Sequence, residues 1–132
     1  MELDFGKLGN ILPAVIQDDS SSEVLMVGFM NKEAFSKTFE SGFVHFFSRT
    51  KQRIWMKGEE SGHRLKTKEI WMDCDEDSLV IKVDIEGPGV CHKGYRSCFY
   101  RRNQDGEWKE IPSKVFDPSK VYQQNVKKGE GV

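Results

Sequence analysis

Residues 73–98, DCDEDSLVIKVDIEGPGVCHKGYRSC, join an alternating apolar strand to most of the reactive side chains of the protein. Leu79, Ile81 and Val83 alternate with Val80 and Lys82, which predicts a strand with one clear apolar face. All three cysteines of the chain, and aspartates at positions 73, 75 and 77, belong to the same stretch. Thiolates favour zinc, whereas carboxylates favour magnesium or calcium, so two different metals are the first hypothesis.

The residues before this stretch predict a hairpin followed by a helix. Residues 11–17 and 23–30 are short apolar runs, and the polar residues 18–22 between them form a turn. Asn31 is suited to cap a helix over residues 32–40, which Ser41 and Gly42 would end. The inward stripe of this helix is expected to consist of Ala34, Phe35, Thr38 and Phe39.

The remaining pattern predicts many short strands and no second major helix. Extended segments are expected at residues 43–48, 54–56, 65–74 and 78–85, and residues 98–102 are expected to pair with 107–111. This element count favours an α+β fold, a strand-rich single domain with one main helix. We expect the domain to occupy residues 1–112 and residues 113–132 to form a polar, loosely packed tail.

Composition excludes several classes of protein. The 132 residues carry 20 basic and 21 acidic side chains, so no bulk charge attracts nucleic acid or anionic lipid. Three cysteines, an odd number, argue against a disulfide framework. No apolar run resembles a signal peptide or approaches the roughly 20 residues of a membrane span. A cytoplasmic protein with reduced thiols is therefore expected.

The aspartate triplet could hold a hard cation. If residues 73–77 are extended, Asp73, Asp75 and Asp77 share one face and Cys74 points to the other. Three carboxylates so close would raise one another's pKa unless a cation lies among them. A solvated acidic turn is the alternative. An EF-hand is rejected because Ser78 stands where that loop needs glycine and the flanks alternate like strands.

The three cysteines could supply a zinc site. Cys74, Cys91 and Cys98 lack the paired spacing of structural zinc sites, and three ligands with one open position are typical of catalytic zinc. The alternative is that they are ordinary buried cysteines. A Cys74 turned away from the aspartates need not reach its own Cys91 and Cys98. A two-fold dimer would let it complete the partner's site instead.

The three histidines have different expected environments. His45 lies in an aromatic strand and is expected to be a hydrogen-bonded core or edge residue. His63 follows a loop glycine and is either exposed or lines a site. His92 adjoins Cys91, so it could be a fourth ligand, a residue that orients a ligand, or a general acid/base; the last is favoured.

Several segments together resemble the phosphoribosyl-AMP cyclohydrolase family of histidine biosynthesis, over residues 12–102. The matching segments are ILPAVIQD, FMNKEAFSKTFESG, FSRTKQRIWMKGEESG, DCDEDSLVIKV and GPGVCHKGYRSCF. The resemblance implies an intertwined α+β homodimer that uses zinc-activated water to open the adenine ring of 1-(5-phosphoribosyl)-AMP. It places Cys91 and Cys98 on the zinc ligands and Cys74 on the ligand lent by the other subunit. It also implies that Asp73, Asp75 and Asp77 bind magnesium.

The sequence departs from the family pattern in two places. Gly89 and Val90 stand between Pro88 and Cys91, where the family usually has one residue, and His63 replaces an expected asparagine. The phosphates of such a substrate call for basic and hydroxyl groups, and a tryptophan could stack on its base. The candidates for these contacts are Ser48, Arg49, Trp55, Lys57, Ser61, Arg96 and Arg101, each of which could instead be ordinary surface or core.

The other functional hypothesis is a zinc-stapled dimeric binding module without catalytic activity. Such a module could bind RNA through Arg49, Lys51 and Arg53, but it needs a closed zinc site and has no use for three carboxylates. A zinc deaminase is excluded because no histidine in the chain is followed by x-Glu.

Overall fold

The structure is a computed structural model that describes residues 2–121. The predicted tail therefore lies outside the described residues from position 122 onward. The elements are β1 Leu12–Asp18, β2 Val24–Met30, α1 Lys32–Ser41, β3 His45–Ser48, β4 Arg53–Met56, β5 Leu65–Met72, β6 Leu79–Ile85, β7 Arg101–Gln104, β8 Glu107–Glu110 and α2 Pro118–Val121. The strand-rich α+β prediction is confirmed for the described chain.

Four strands form the main sheet in the order β2-β1-β6-β5. The first hairpin is antiparallel as predicted, and β5 and β6 are also antiparallel, whereas β1 and β6 run parallel. The alternation in β6 is confirmed, because Leu79, Ile81 and Val83 are buried. Ala14 and Ile16 stand beside Leu79 and Ile81 and are also buried, so the two strands share one core face.

Helix α1 begins and ends at the predicted caps. Asn31 accepts a hydrogen bond from the Ala34 amide at 2.8 Å, and Gly42 adopts φ 82° and donates to the Thr38 carbonyl. Ala34 and Thr38 are buried, but Phe39 is 72% exposed, so its predicted inward position is wrong in this chain. The buried face is narrower than predicted because α1 packs mainly on the short strand β3, where the Thr38 hydroxyl accepts from the His45 amide.

The hairpin β3–β4 packs its aromatic side chains into the core. Phe46 and Trp55 face each other in register, with ring centroids 5.4 Å apart, and both are buried. The Phe46 ring also packs directly on Gly28 of β2, where a Cβ would lie 2.4 Å from the ring, so this position requires glycine. His45 is half-buried and its Nδ1 lies 2.9 Å from the Phe43 carbonyl oxygen, as expected for a hydrogen-bonded edge residue.

The second predicted hairpin, β7–β8, is confirmed, but β7 begins at Arg101 rather than at Cys98 and continues to Gln104, inside the predicted connection. Asp105 and Gly106 form its two-residue turn, both with positive φ, which is the turn type that joins twisted strands tightly. Beyond this hairpin the chain returns to the main body, where the amide of Val115 donates to the Gly94 carbonyl at 2.8 Å. The described part of the tail therefore contacts the domain.

Candidate active site

The acidic residues lie in the turn that joins β5 to β6. Residues 73–77 are not extended, since they form turns and Glu76 has φ 66°. The strand predicted over residues 65–74 ends at Met72, and the alternative of an acidic turn is the one observed. Asp73 imposes this shape, because its carboxylate accepts from the Asp77 amide at 3.0 Å, the Ser78 amide at 3.2 Å and the Ser78 hydroxyl at 2.5 Å. A side chain that caps its own turn in this way competes with the strand ladder.

The three carboxylates nevertheless come together. One oxygen from each of Asp73, Asp75 and Asp77 lies within 4.8 Å of the others. The bond from the Ser78 hydroxyl is the main reason that the pKa of Asp73 is lowered. Desolvation, the hydrogen bond with Asp73 and the charges of Asp75 and Asp73 raise the pKa of Asp77. This concentration of negative charge suits a hard divalent cation.

The loop 91–98 brings two thiols together. It is closed by bonds from the Cys91 amide to the Tyr95 carbonyl and from the Gly94 amide to the Cys91 carbonyl. The Cys98 thiol donates to the Cys91 sulfur, which lowers the pKa of Cys91 to about 5. As the donor of that bond, and through desolvation and the adjacent Cys91 charge, Cys98 has a raised pKa. The loop thus places two soft sulfur atoms within hydrogen-bonding distance of each other.

Tyr95 connects this loop to Tyr100 and to Glu110 of hairpin β7–β8. The rings of Tyr95 and Tyr100 stack with centroids 3.7 Å apart and planes 5° apart. Tyr95 donates its hydroxyl to Glu110 of β8 at 2.7 Å, and this bond is the main reason that the pKa of Tyr95 rises to about 12. Hairpin β7–β8 therefore holds the thiol loop in place.

Cys74 does not join the other two cysteines within one chain. It is exposed in the acidic turn, with its Sγ 3.9 Å from Asp75 Oδ1. Among residues 2–121, Asp73, Asp75 and Asp77 are the only set of three potential metal ligands whose ligand atoms all lie within 4.8 Å of one another. The structure therefore brings Cys91 and Cys98 together but leaves Cys74 apart from them.

His92 is exposed on the thiol loop directly after Cys91. Its charge is one of the lesser contributions that lower the pKa of Cys91, after the Cys98 bond. The imidazole is therefore close to the thiol pair and open to solvent, where a proton donor could meet a bound molecule.

Lys57 is a buried residue whose charge acts on Cys98, and Trp55 lies beside it. Lys57 is only 3% exposed, and its charge opposes the rise in the pKa of Cys98, so its ammonium group is near that sulfur. The Lys57 Nζ lies 5.8 Å from the centroid of the Trp55 ring. Trp55 is 4% exposed and its indole Nε1 has no hydrogen-bond partner in the described part of the chain. Trp55 is therefore a core residue whose nitrogen is left unsatisfied.

The other predicted substrate contacts are more widely spread. Ser48 is buried and accepts from the Lys51 amide at 3.2 Å, while the Arg49 guanidinium lies 4.0 Å over the Phe29 ring. Ser61 accepts from the His63 amide at 3.1 Å. Ser48 ends β3, Arg49 follows it, and Ser61 lies in the loop after β4.

Arg96 is held by two carboxylates. Its Nη2 lies 3.0 Å from Asp18 Oδ2 and its Nε 2.9 Å from Glu23 Oε1. Any phosphate that bound Arg96 would have to compete with both acids. In this structure Arg96 connects the thiol loop to the β1–β2 connection through these two ion pairs, and its predicted contact with substrate would have to replace them.

A cavity of about 420 Å³ opens beside Cys98, and its described lining includes Phe99, Arg101 and Trp108. Phe99 is 61% exposed and Trp108 70% exposed. Sequence reasoning named Arg101 but missed both aromatic residues. The signal was present, because the alternation of a two-residue hairpin puts Arg101 and Trp108 on one face of β7–β8.

A thiol pair and a carboxylate cluster on one small α+β domain are the two ligand types that metal-dependent enzymes use. A sequence model of the phosphoribosyl-AMP cyclohydrolase family matches residues 26–100, which include both clusters. The chain is 56% identical to the phosphoribosyl-AMP cyclohydrolase of Solibacter usitatus over 122 residues, covering 92% of this chain and 97% of that protein. It is 52% identical to that of Geotalea uraniireducens, covering 92% and 98%. The chain belongs to the phosphoribosyl-AMP cyclohydrolase family.

The helices of the structure are short. Within residues 2–121, neither α1 nor α2 is long and apolar enough to cross a bilayer.

Proposed function

We propose that this protein hydrolyses the adenine ring of 1-(5-phosphoribosyl)-AMP, giving the formimino aminoimidazole carboxamide ribotide intermediate of histidine biosynthesis. The observation that carries the proposal is the Cys91–Cys98 thiol pair, whose sulfurs are hydrogen-bonded to each other inside the segment that the family model matches. A binding module without catalytic activity is not favoured by membership of this family.

The donor set at the thiol loop fits zinc. Cys91 and Cys98 supply two soft sulfur ligands, and the lowered pKa of Cys91 favours the thiolate form that zinc binds. We propose Cys74 of the partner subunit as the third ligand, because Cys74 of the same chain lies apart. Zinc held in this way, with one position open, lowers the pKa of a bound water toward 7.

The acidic turn fits magnesium. Its three clustered oxygens are hard ligands, and a divalent cation would relieve the repulsion from Asp75 and Asp73, which adds to desolvation in raising the pKa of Asp77. Lys7 already offsets part of this charge, with its Nζ 3.7 Å from Asp77 Oδ2. A single lysine at the surface contributes little, which leaves the cluster electrostatically suited to a cation.

The chain's own residues have distinct tasks in this reaction. Water adds to the ring carbon that bears the amino group, and the bond from that carbon to the alkylated ring nitrogen breaks. His92 donates the proton that the released nitrogen takes up. Lys57 and Arg101 are distant from each other in the sequence, but both lie near Cys98 in space, where they can meet the phosphates. Phe99 and Trp108 offer flat apolar surfaces for the purine.

A homodimer follows from the sharing of Cys74. Large apolar side chains are exposed on the described surface, including Trp71 at 56%, on the strand that leads into the acidic turn. An interface there would cover apolar surface and carry Cys74 toward the other subunit.

The direct test is hydrolysis of phosphoribosyl-AMP followed by absorbance, with and without chelator and added magnesium. We expect activity that the chelator abolishes and that zinc with magnesium restores. Cys98→Ser should lose both the activity and the bound zinc. Full activity of Cys98→Ser with zinc absent would contradict the proposed role of the thiol pair.

The shared site can be tested by mixing two inactive variants. Cys74→Ser and Cys98→Ser subunits should regain activity on exchange, since half of the random dimers then contain one intact site, about a quarter of the wild-type activity. Cys91→Ser mixed with Cys98→Ser is the control and should stay inactive, because both changes fall in the same half-site. Recovery in neither mixture, with subunit exchange verified, would contradict a site shared between chains.

A further inference from the structure

The segment after β8 packs on the thiol loop, although it lies beyond the residues that the family model matches. The amides of Val115 and Phe116 both point at the Gly94 carbonyl, at 2.8 and 3.3 Å. Gly94 has φ 101°, and a Cβ there would lie 2.6 Å from the Phe116 carbonyl oxygen and 3.1 Å from Pro118 Cδ. The close fit of this segment over the loop therefore requires glycine at position 94.

The side chain of Phe116 contacts a different loop. Its ring meets the His63 imidazole edge to face, with centroids 4.9 Å apart and planes 89° apart. This geometry is a favoured one for aromatic pairs, worth about 0.5–1.5 kcal/mol beyond burial. Phe116 thus touches the thiol loop with its backbone and His63 with its ring.

His63 is itself tied to the chain that leads into Cys91. Its Nδ1 lies 3.0 Å from the Gly89 carbonyl oxygen. A Cβ at Gly87 would lie 2.5 Å from the imidazole Cδ2, so the ring is packed directly on this glycine. His63 therefore joins the end of loop 57–63, which carries Lys57 and Ser61, to the start of the thiol loop.

These contacts of Phe116 and His63, which we call the node, connect loop 57–63 to the thiol loop. One loop carries the ammonium and hydroxyl groups proposed to bind phosphate, and the other carries the proposed zinc ligands and His92. A substrate with phosphates at both ends must engage both loops at once, so a small change in their separation misplaces the reacting carbon. Misplacement of about 1 Å can cost on the order of 100-fold in rate.

We propose that Phe116 is a positioning residue, which acts through His63 to set the spacing between loop 57–63 and the thiol loop. This inference rests on the proposed function for its effect on catalysis. The contact between Phe116, His63 and the two loops stands independently of the reaction.

The test compares Phe116→Ala with Val115→Ala and Phe116→Tyr. Val115 is 46% exposed and contributes its backbone amide, which alanine keeps, so it is a matched control. We expect Phe116→Ala to lower kcat/KM about tenfold or more per zinc-loaded site, with zinc content unchanged. Tyrosine keeps the ring and should restore the rate, and Val115→Ala should match the wild type. A loss of thermal stability with unchanged kcat/KM per zinc would overturn the proposal.

Two further measurements test the route through His63. If Phe116 acts through that ring, the double variant His63→Ala/Phe116→Ala should be no slower than His63→Ala alone; full multiplication of the two losses would overturn this route. Amide hydrogen exchange should rise in residues 58–63 and 87–94 of Phe116→Ala and stay unchanged in Val115→Ala. Unchanged exchange in Phe116→Ala overturns the node itself. A wild-type protein inactive on phosphoribosyl-AMP overturns the proposed function, and with it the catalytic role of Phe116.

Discussion

Arg96 Nη2 lies 3.0 Å from Asp18 Oδ2, and this ion pair connects the thiol loop to the end of β1. The Asp18 side chain is only 5% exposed and also accepts from the Ser21 hydroxyl at 2.6 Å and the Ser20 hydroxyl at 3.0 Å. Burial alone would raise the pKa of Asp18, but these hydrogen bonds and Arg96 outweigh it and lower the pKa. The carboxylate is therefore a stabilising group of the folded state.

The first prediction concerns Asp18→Asn. Because the folded pKa lies below the unfolded value of 3.8, the charge stabilises the fold above about pH 4, and this contribution is lost as the pH falls through the folded pKa. Asp18→Asn should lower the free energy of unfolding by about 1–2 kcal/mol at pH 7 and by less at pH 3. Urea unfolding between pH 3 and pH 7 measures this, with the exposed Asp19→Asn as control. An equal loss at both ends of the range would contradict the prediction.

The second prediction concerns His92→Ala. The imidazole is exposed and is proposed to donate a proton rather than to bind zinc, so zinc content and dimer should be kept while kcat falls about 10²- to 10⁴-fold. Metal analysis, size-exclusion chromatography and steady-state kinetics together measure these effects. Lys93→Ala, at the exposed neighbour, should change kcat little. Loss of zinc from His92→Ala would assign the residue to the metal instead, and an unchanged kcat would remove its proposed role.

The third prediction concerns Trp108→Ala. If the purine lies in the cavity beside Cys98, removing this indole removes a stacking surface worth about 1–3 kcal/mol. KM for phosphoribosyl-AMP should then rise about tenfold or more, with zinc content unchanged. Phe39→Ala, an equally exposed aromatic on α1, is the control and should leave KM at the wild-type value. Equal KM values in Trp108→Ala and wild type would place the purine elsewhere.

The fourth prediction concerns Asp77→Asn in the acidic turn. The change removes a like charge from the cluster, so the metal-free protein should be at least as stable as the wild type. Magnesium at 100 times Kd should increase the free energy of unfolding of the wild type by about 2.7 kcal/mol and so raise its Tm. It should have much less effect on the Tm of Asp77→Asn. Glu76→Gln removes a charge from the same turn outside the cluster and should keep the magnesium effect. A wild-type Tm that does not respond to magnesium would contradict this binding site.

The local elements were predictable because each depends on residues close together in the sequence. The two hairpins, the caps Asn31 and Gly42 and the buried face of β6 all follow from short-range periodicity and turn chemistry. The acidic turn shows where this reasoning fails. Alternating aspartates predict a shared strand face, but hydrogen bonds from Ser78 to Asp73 favoured a turn, which still clusters the carboxylates.

The sequence by itself determined the strand-rich α+β class, the family and the potential ligands, because these depend on residue type and local spacing. Only the tertiary structure decided that β1 and β6 pair in parallel, that Arg96 meets Asp18, and that Phe116 meets His63. These partners are far apart in the chain, and their contacts depend on how whole elements pack, which no local pattern encodes. Tertiary packing likewise left Cys74 apart from Cys91 and Cys98, the separation on which the proposed shared site rests.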